Sequence, residues 1–441
     1  MQMDRGRGTL DTVLEKHINS EQITESRDRK FIHALIHGVL RWQARLDGII
    51  DRVSRRPAHR LDPEIRILLR LGLFQIFFFD RVPPSAAVNT SVNLARSITG
   101  RKATGFVNAV LRNAIRQRET FVFPDAAADP VAALAARQSF APWMIKRWIA
   151  RRGLDDTLAR CQALNTVAPL TLRTNTLSAA RRMVIDTLTA GGEKPAPTPH
   201  SSAGICINRP TRAVPDLPGF TDGHFQVQDE AAQLVTFLLD PRPGERILDA
   251  CAGLGGKTGH IVQQMENRGQ IVAVDRQAAR LNQLTAEMRR LGGTIVETRT
   301  RDLETPAVLD DLGLFDRVLI DAPCSGLGVL RRHPDAKWHH SVDTLKKMAR
   351  RQGRLLRHLS TQVKPGGVLV YAVCTTEPEE NEDVIIRFLN GHPDFSLVPA
   401  ARFLPDATPP LAGADGFFRT FPHLHAMDGF FAARLHRSGA S

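Results

Sequence analysis

The chain reads as an α/β protein in which a doubly wound domain is preceded by an all-α domain and a small α+β domain. Three observations predict this. From Asp240 onward, short apolar runs alternate with helical patterns, as in a parallel sheet covered on both faces. Between residues 10 and 120 the spacing is helical throughout, and the 441 residues exceed one ordinary core, which predicts about two to four units. The expected bounds are 1–125 for the all-α domain, 126–165 for a helical connector, 166–235 for the α+β domain and 236–441 for the doubly wound domain.

In the first domain Leu35, Val39 and Trp42 recur at helical spacing, and Asp62-Pro63-Glu64 starts a helix through Ile65, Leu68, Leu69, Gly72 and Ile76. Val82-Pro83-Pro84-Ser85 breaks it. Another helix runs through Val88, Val92 and Ala95, and Gly105 to Arg112 opens the last. Arg41, Arg45, Arg52, Arg55, Arg56, Arg101 and Arg112 share this domain, either as a solvated helix surface or as an RNA-facing one. The chain begins close to its first helix, so that helix is expected to be short or the true start to lie upstream. Ala126 to Pro130 reads as a linker, ahead of a connector carrying Pro142, Trp143 and Trp148.

Leu170 to Asn175 is strand-like, a helix passes through Val184 and Leu188, and Pro195 to Gly204 is rich in Pro, Ser and Gly. Arg173 and Asn175 are candidates to read RNA from this strand face, although the paired aromatics of a base-stacking surface are missing. Strands follow at Arg246–Ala250, Ile271–Asp275, Thr294–Thr298, Arg317–Asp321 and Val368–Val373. The tail reads as an antiparallel edge hairpin, Phe417–Phe421 with Gly429–Leu435.

A net charge of +13 and a pI near 10.2 point to an anionic partner, most simply nucleic acid, or to a proteome rich in Arg. Five cysteines without close pairs argue against a disulfide framework and a zinc cluster, so no metal is expected and a reducing cytoplasm fits. Met1 to Arg7 leads into no apolar signal core, and the run Leu68 to Phe79 is short and interrupted by Arg70 and Gln75, so no membrane span is expected.

The box Leu248-Asp249-Ala250-Cys251-Ala252-Gly253-Leu254-Gly255-Gly256-Lys257-Thr258 follows a strand and opens a helix, where glycines allow tight turns and close approach of a ligand. A phosphate-binding P-loop needs glycine where Cys251 stands. A dinucleotide fingerprint needs its third glycine one residue before Gly259. What remains favours S-adenosylmethionine, with Asp249 near its amino-acid moiety and Lys257 on its carboxylate. Asp275 at the next strand end suits ribose hydroxyls, and Asp302 after the third suits the adenine amino group. Ala250, Cys251, Ala252, Gly253, Gly255, Arg280 and Asp321 complete the expected donor set.

Two further boxes end strands: Asp321-Ala322-Pro323-Cys324-Ser325-Gly326, and Val373-Cys374-Thr375-Thr376 followed by Glu377-Pro378-Glu379-Glu380-Asn381. Carbon 5 of a pyrimidine is a poor nucleophile until a thiolate adds at carbon 6, so two cysteines beside a methyl donor suggest cysteine-dependent pyrimidine methylation. Buried structural cysteines are the competing reading of either one alone. Asp321 would hydrogen-bond the cytosine edge. An adenine amino-methylating enzyme would carry an aromatic where Cys324 stands.

On these residues the chain resembles the Sun/Fmu family of RNA 5-methylcytosine methyltransferases. Further matching segments are Phe225-Gln226-Val227-Gln228-Asp229-Glu230, and Arg331-Arg332-His333-Pro334-Asp335-Ala336-Lys337-Trp338 behind the Cys324 loop. The front resembles a NusB-like RNA-binding domain at Arg81-Val82-Pro83-Pro84 and Val107 to Arg112. Two positions depart: Val373-Cys374-Thr375 stands for the usual Thr-Cys-Ser, and Ala232 for a serine. The resemblance implies a Rossmann-like methyltransferase domain, Cys374 as nucleophile, Cys324 assisting product release, and a cytidine of small-subunit ribosomal RNA as acceptor. A transfer RNA substrate, or a non-catalytic RNA-binding assembly factor, are the rival readings. Arg331, Arg332, His333 and Lys337 are expected to contact RNA locally unless they are solvated surface. A monomer is expected.

Overall fold

The computed structural model describes residues 10–99, 101–121, 123–305 and 311–439, apart from the side chains of 101 and 102. Arg101, one of the candidate RNA-facing arginines, therefore has its side chain outside the described residues, as do residues 1–9. The chain divides into two compact units, one of residues 1–165 with 332–339, the other of 166–331 with 340–441.

The first unit holds α1 (Leu10–Ser20), α2 (Ser26–Arg41), α3 (Gln43–Val53), α4 (Pro63–Phe78), α5 (Pro84–Thr99), α6 (Arg101–Arg116), α7 (Pro130–Gln138) and α8 (Pro142–Leu164). Helix α4 starts at Asp62-Pro63, where the proline's missing N–H costs nothing in the first turn. Its Leu68, Leu69, Leu73 and Ile76 are buried with Leu46, Ile50, Val107 and Leu111. Arg70 is accommodated in this apolar helix because its guanidinium pairs with Asp47 at 2.6 and 2.7 Å. Helix α6 starts at Arg101, a turn before the expected Gly105. Linker residue Asp129 caps α7 by accepting from the Ala132 N–H, so Pro130 already belongs to a helix. At Gly153 (φ 80°) the backbone of α8 kinks.

Segment 332–339 belongs to this unit although its neighbours in sequence do not. Its Trp338 Nε1 donates to the Leu40 carbonyl at 2.8 Å. Lys337 is fully buried and donates to the Asn165 Oδ1 at 2.6 Å and to the carbonyls of Arg41 and Ser139. Burial pushes the Lys337 amine well below its ordinary pKa. The expectation that Lys337 contacts RNA is therefore corrected: its head is spent on backbone carbonyls.

The second unit opens with β1 (Leu170–Thr174), α9 (Arg181–Ala190), β2 (Pro195–Pro197), β3 (Gly204–Ile207) and β4 (Phe225–Val227), an antiparallel sheet in the order β2-β3-β1-β4. The Pro-rich stretch thus contributes a short edge strand. Helix α10 (Glu230–Leu239) leads into the larger sheet: β5 (Arg246–Ala250), α11 (Gly256–Gln264), β6 (Gln270–Asp275), α12 (Ala278–Leu291), β7 (Val296–Thr300) and β8 (Phe315–Asp321). Then come α13 (Ala336–His339, in the first unit), α14 (Val342–Ser360), β9 (Val363–Val373), α15 (Glu382–Gly391), β10 (Phe395–Val398), β11 (Phe418–Arg419), α16 (Pro422–His425) and β12 (Phe431–Arg437).

Strand order is β10-β12-β9-β8-β5-β6-β7, with β5 to β9 parallel and β11 paired to β12. Alternate residues serve opposite faces, as the pleat requires: Val318 and Ile320 pack with Leu355 and Phe388, while Leu319 and Val370 pack with Leu234 and Leu238. Two expectations are corrected. The third strand lies two residues later than Thr294–Thr298, and the tail hairpin is not an edge, since β12 sits between β9 and β10. Five of the seven residues of β12 are buried, which an edge strand would not require.

Arg173 and Asn175 are also corrected as RNA readers. Arg173 is fully buried and donates to Gln263 Oε1 at 2.9 Å, Gln226 Oε1 at 2.7 Å, the Gly256 carbonyl at 2.8 Å and Gln228 Oε1. Asn175 donates to the carbonyls of Gly223 and Leu291. Burial, opposed only in part by the charge of Glu287, holds Arg173 down to about 9. Arg331 follows the same pattern: it is buried on Asp428, with Nη2 2.9 Å from Oδ1.

Candidate active site

Neighbours β8 and β9 run parallel in a register that pairs Asp321 with Ala372, and the Ala322 N–H then bonds the Ala372 carbonyl at 2.9 Å. Cys324 follows three residues beyond this pair and Cys374 two, each just past its strand end. The two sulfurs consequently meet, Cys324 Sγ lying 3.3 Å from Cys374 Sγ. Strand order reverses between β5's two neighbours, β6 and β8, so the crevice at their carboxyl ends is where an open sheet binds ligands.

Gly328 and Gly429 lock the cysteine loop to the entry of β12. The Gly328 N–H donates to the Cys374 carbonyl at 3.0 Å, and the Gly429 N–H to the Gly328 carbonyl at 2.9 Å. Beneath the loop lies Glu380, fully buried, which accepts from the Ser325 N–H at 2.9 Å, from the Ser325 hydroxyl and from Gln352 Nε2 at 2.9 Å. Gln352 also donates to the Pro323 carbonyl, and Ser325 Oγ to Thr375 Oγ1 at 3.0 Å, which ties both boxes together. Burial raises the Glu380 pKa despite these donors. Cys324 is held well above the ordinary thiol value, first by its hydrogen bond to Cys374 and then by burial.

The glycine box folds as a strand-to-helix turn. Cys251 (φ 62°), Gly253 (φ 58°) and Gly255 (φ 85°) are left-handed, and a Cβ on Gly255 would stand 2.6 Å from Leu284 Cγ. Asp249, one residue before the end of β5, is buried, and its Oδ2 accepts from Thr258 Oγ1 at 2.6 Å. Its Oδ1 is buried with no partner among the described residues. Burial lifts this carboxyl to about 7. Ala250 is buried as the last residue of β5, and the Ala252 N–H donates to the Val274 carbonyl. Asp275 accepts from the N–H groups of Gly253 at 3.1 Å and Gln277 at 2.8 Å.

Lys257 is buried on α11 and donates to Asp321 Oδ2 at 2.6 Å. Burial opposes its charge, but Asp321, with the Cys374 sulfur and Asp249 nearby, outweighs that cost and raises its pKa. Burial, with Asp321, Asp275 and Asp249 around it, pushes the Cys251 thiol up to about 12. The structure therefore brings together Asp249, Cys251, Lys257, Asp275, Asp321, Cys324 and Cys374. Asp302 and Arg280 stand apart from this bonded set: Asp302 is exposed and caps a turn at the Glu304 N–H, and Arg280 is half-buried on α12. Glu380, Ser325, Gln352 and Gly429 had no assigned role in the sequence. Glu380 lay within the Cys374 box, beside Glu377 and Glu379, with nothing local to single it out.

Comparison with known proteins agrees with this layout. Residues 2–116 match the NusB family, 140–214 the ferredoxin-like domain of RsmF/B-like methyltransferases, and 236–436 the family described as 16S rRNA methyltransferase RsmB/F. A probable ribosomal RNA small subunit methyltransferase B of Synechocystis sp. is 36% identical, covering 97% of this chain and 94% of its own length. The ribosomal RNA small subunit methyltransferase B of Pseudomonas syringae pv. tomato is 37% identical over 87% of this chain and 83% of its own. Among solved structures, PH0851 is 27% identical with a TM-score of 0.81, covering 96% of this chain and 93% of that one. With matches spanning front, middle and catalytic domains in one order, the chain belongs to the RsmB/F family of methyltransferases.

Proposed function

We propose that the chain methylates carbon 5 of a cytidine in small-subunit ribosomal RNA, in the cytoplasm, through a covalent cysteine adduct. The observation that carries this reading is the 3.3 Å approach of Cys324 and Cys374 at adjacent strand ends. The names of the relatives, which specify ribosomal RNA of the small subunit, support the substrate.

The residues fit S-adenosylmethionine. Asp249 offers an unpartnered buried oxygen suited to an ammonium group, and Asp275 a carboxylate at the next strand end. Asp249, the turn from Ala250 to Gly255, and Asp275 would hold it, with Arg280 and Asp302 as outlying candidates. When bound, it supplies an electrophilic methyl group.

Cys374 adds its sulfur to carbon 6 of the ring, and the displaced π electrons make carbon 5 nucleophilic. Lys257, kept protonated chiefly by Asp321, holds its ammonium charge near the Cys374 sulfur. Asp321, one-third exposed, keeps a face for the cytosine edge. In the resting site Cys324 is held protonated, sharing a hydrogen bond with Cys374. Once the Cys374 sulfur is bonded to carbon, the hydrogen bond and the charge through which Cys374 raised the Cys324 pKa are gone, so Cys324 can release its own proton to solvent and, as the thiolate, take the carbon 5 proton. Loss of that proton re-forms the 5,6 double bond and expels Cys374.

The target base must be unstacked to reach the crevice, and exposed Arg52, Arg55, Arg56 and Arg112 on the helical unit are candidates for the RNA backbone. Bisulfite sequencing of total RNA from a deletion strain beside wild type tests the reading. A mark lost from small-subunit ribosomal RNA supports it; a mark lost only from transfer RNA refutes it.

A further inference from the structure

Helices α1 and α2 each present a pair of potential metal ligands one turn apart, Asp11 and Glu15 on the first, His33 and His37 on the second. The pairs face each other. His37 Nε2 lies 3.1 Å from Asp11 Oδ1, and His33 Nε2 lies 2.8 Å from Glu15 Oε1. Donor atoms of Asp11, His33 and His37 all fall within 4.8 Å of one another. A tetrahedral ion with bonds of about 2.1 Å needs its donors about 3.4 Å apart, so small side-chain turns suffice to close on one.

The surroundings supply what ligands require. Arg29 takes the other oxygen of Glu15, fixing that carboxylate against His33. His333, from the segment behind the Cys324 loop, sets Nδ1 3.8 Å from Asp11 Oδ2, the oxygen turned away from His37. Outer partners of this kind orient ligating groups. His37 is 18% exposed and Asp11 48%, so the cluster is open enough for an ion to enter. The cysteine spacing had excluded a thiolate cluster, but an imidazole and carboxylate set divided between two helices leaves no such signature.

We propose that Asp11, His33 and His37 bind a first-row divalent transition ion of the zinc class, with Glu15 and His333 orienting them and solvent completing the shell. Imidazole with carboxylate suits such ions, whereas magnesium prefers oxygen alone. Because His333 leans on Asp11, the ion would pin segment 332–339 within the helical unit.

Titration of the untagged, chelator-treated full chain with cobalt(II) tests this by its visible ligand-field bands. The expected result is one equivalent with tetrahedral-type absorption, displaced by zinc and not by magnesium. Asp11→Asn, which keeps size and hydrogen bonding, and a His33→Ala/His37→Ala double variant should each weaken binding at least about tenfold, while Cys324→Ser/Cys374→Ser leaves it unchanged. Absence of bands in wild type, bands that survive in the histidine double variant, or bands that vanish with the cysteines would overturn the proposal.

Discussion

A Cβ placed on Gly328 would stand 1.9 Å from the carbonyl oxygen of Gly429 and 2.9 Å from that of Cys374. Backbone cannot yield as a flexible side chain does. Gly328→Ala is therefore expected to lower stability by about 1–3 kcal/mol and to displace the nucleophile's loop. Denaturant unfolding and turnover on RNA check this together. Unchanged turnover would show that the glycine contact does not position Cys374.

The proposed division of labour between the cysteines predicts opposite outcomes for two variants. Cys324→Ala should accumulate an enzyme–RNA complex that survives denaturing electrophoresis, and Cys374→Ala should form none. An adduct that requires Cys324 and forms without Cys374 reverses the assignment.

Asp249 gives a pH dependence whose sign is fixed. Its carboxyl rises from 3.8 to about 7 on folding, so between those values the folded chain holds a proton that the unfolded chain has released. Its contribution is complete below about pH 4 and is lost as pH rises through about 7. Urea unfolding of the donor-free protein should show this decline, and Asp249→Asn should flatten it. A wild-type stability that rises across the window would contradict the assignment.

Glu380 acts through the Cys324 loop. Glu380→Ala strands the buried Ser325 N–H, costing about 1–3 kcal/mol, and leaves the Gln352 amide with the Pro323 carbonyl as its remaining acceptor. The expected signature is a lower kcat with nearly unchanged KM for RNA, partly restored by Glu380→Gln. A change confined to KM would place Glu380 in RNA binding instead.

Salt dependence separates buried arginines from exposed ones. Arg331→Ala breaks the buried ion pair with Asp428, which is expected to lower stability by about 3–5 kcal/mol without altering the salt slope of RNA binding. Removing exposed Arg55 or Arg56 should instead shallow that slope by about one unit per lost phosphate contact. Equal slopes for wild type and both exposed variants would remove this face from the RNA interface.

What the sequence made legible follows from locality. The glycine turn, the strand ends carrying Asp249, Asp275 and Asp321, and both cysteine boxes are short-range patterns, and β8 and β9 bring the cysteines together once their register is set. Charged residues were misread where their partners lie far along the chain. Arg173 finds Gln226, Gln228 and Gln263, Arg331 finds Asp428, and Lys337 finds carbonyls near residues 41 and 139. A lone basic residue in a strand or loop looks solvated until those partners are placed. Strand β10 escaped for a different reason, since its four residues are too few to show a period.

The guanidinium of Arg173 reaches from β1 to the Gly256 carbonyl at the start of α11, and to Gln263 further along that helix. A fragment beginning at residue 236 would lose this cation together with the Gln226 and Gln228 side chains, stranding polar groups that the full chain satisfies internally. Minimal catalytic pieces, and chimaeras that exchange the small sheet between relatives, are consequently viable only when β1, β4 and α11 travel as one inherited block.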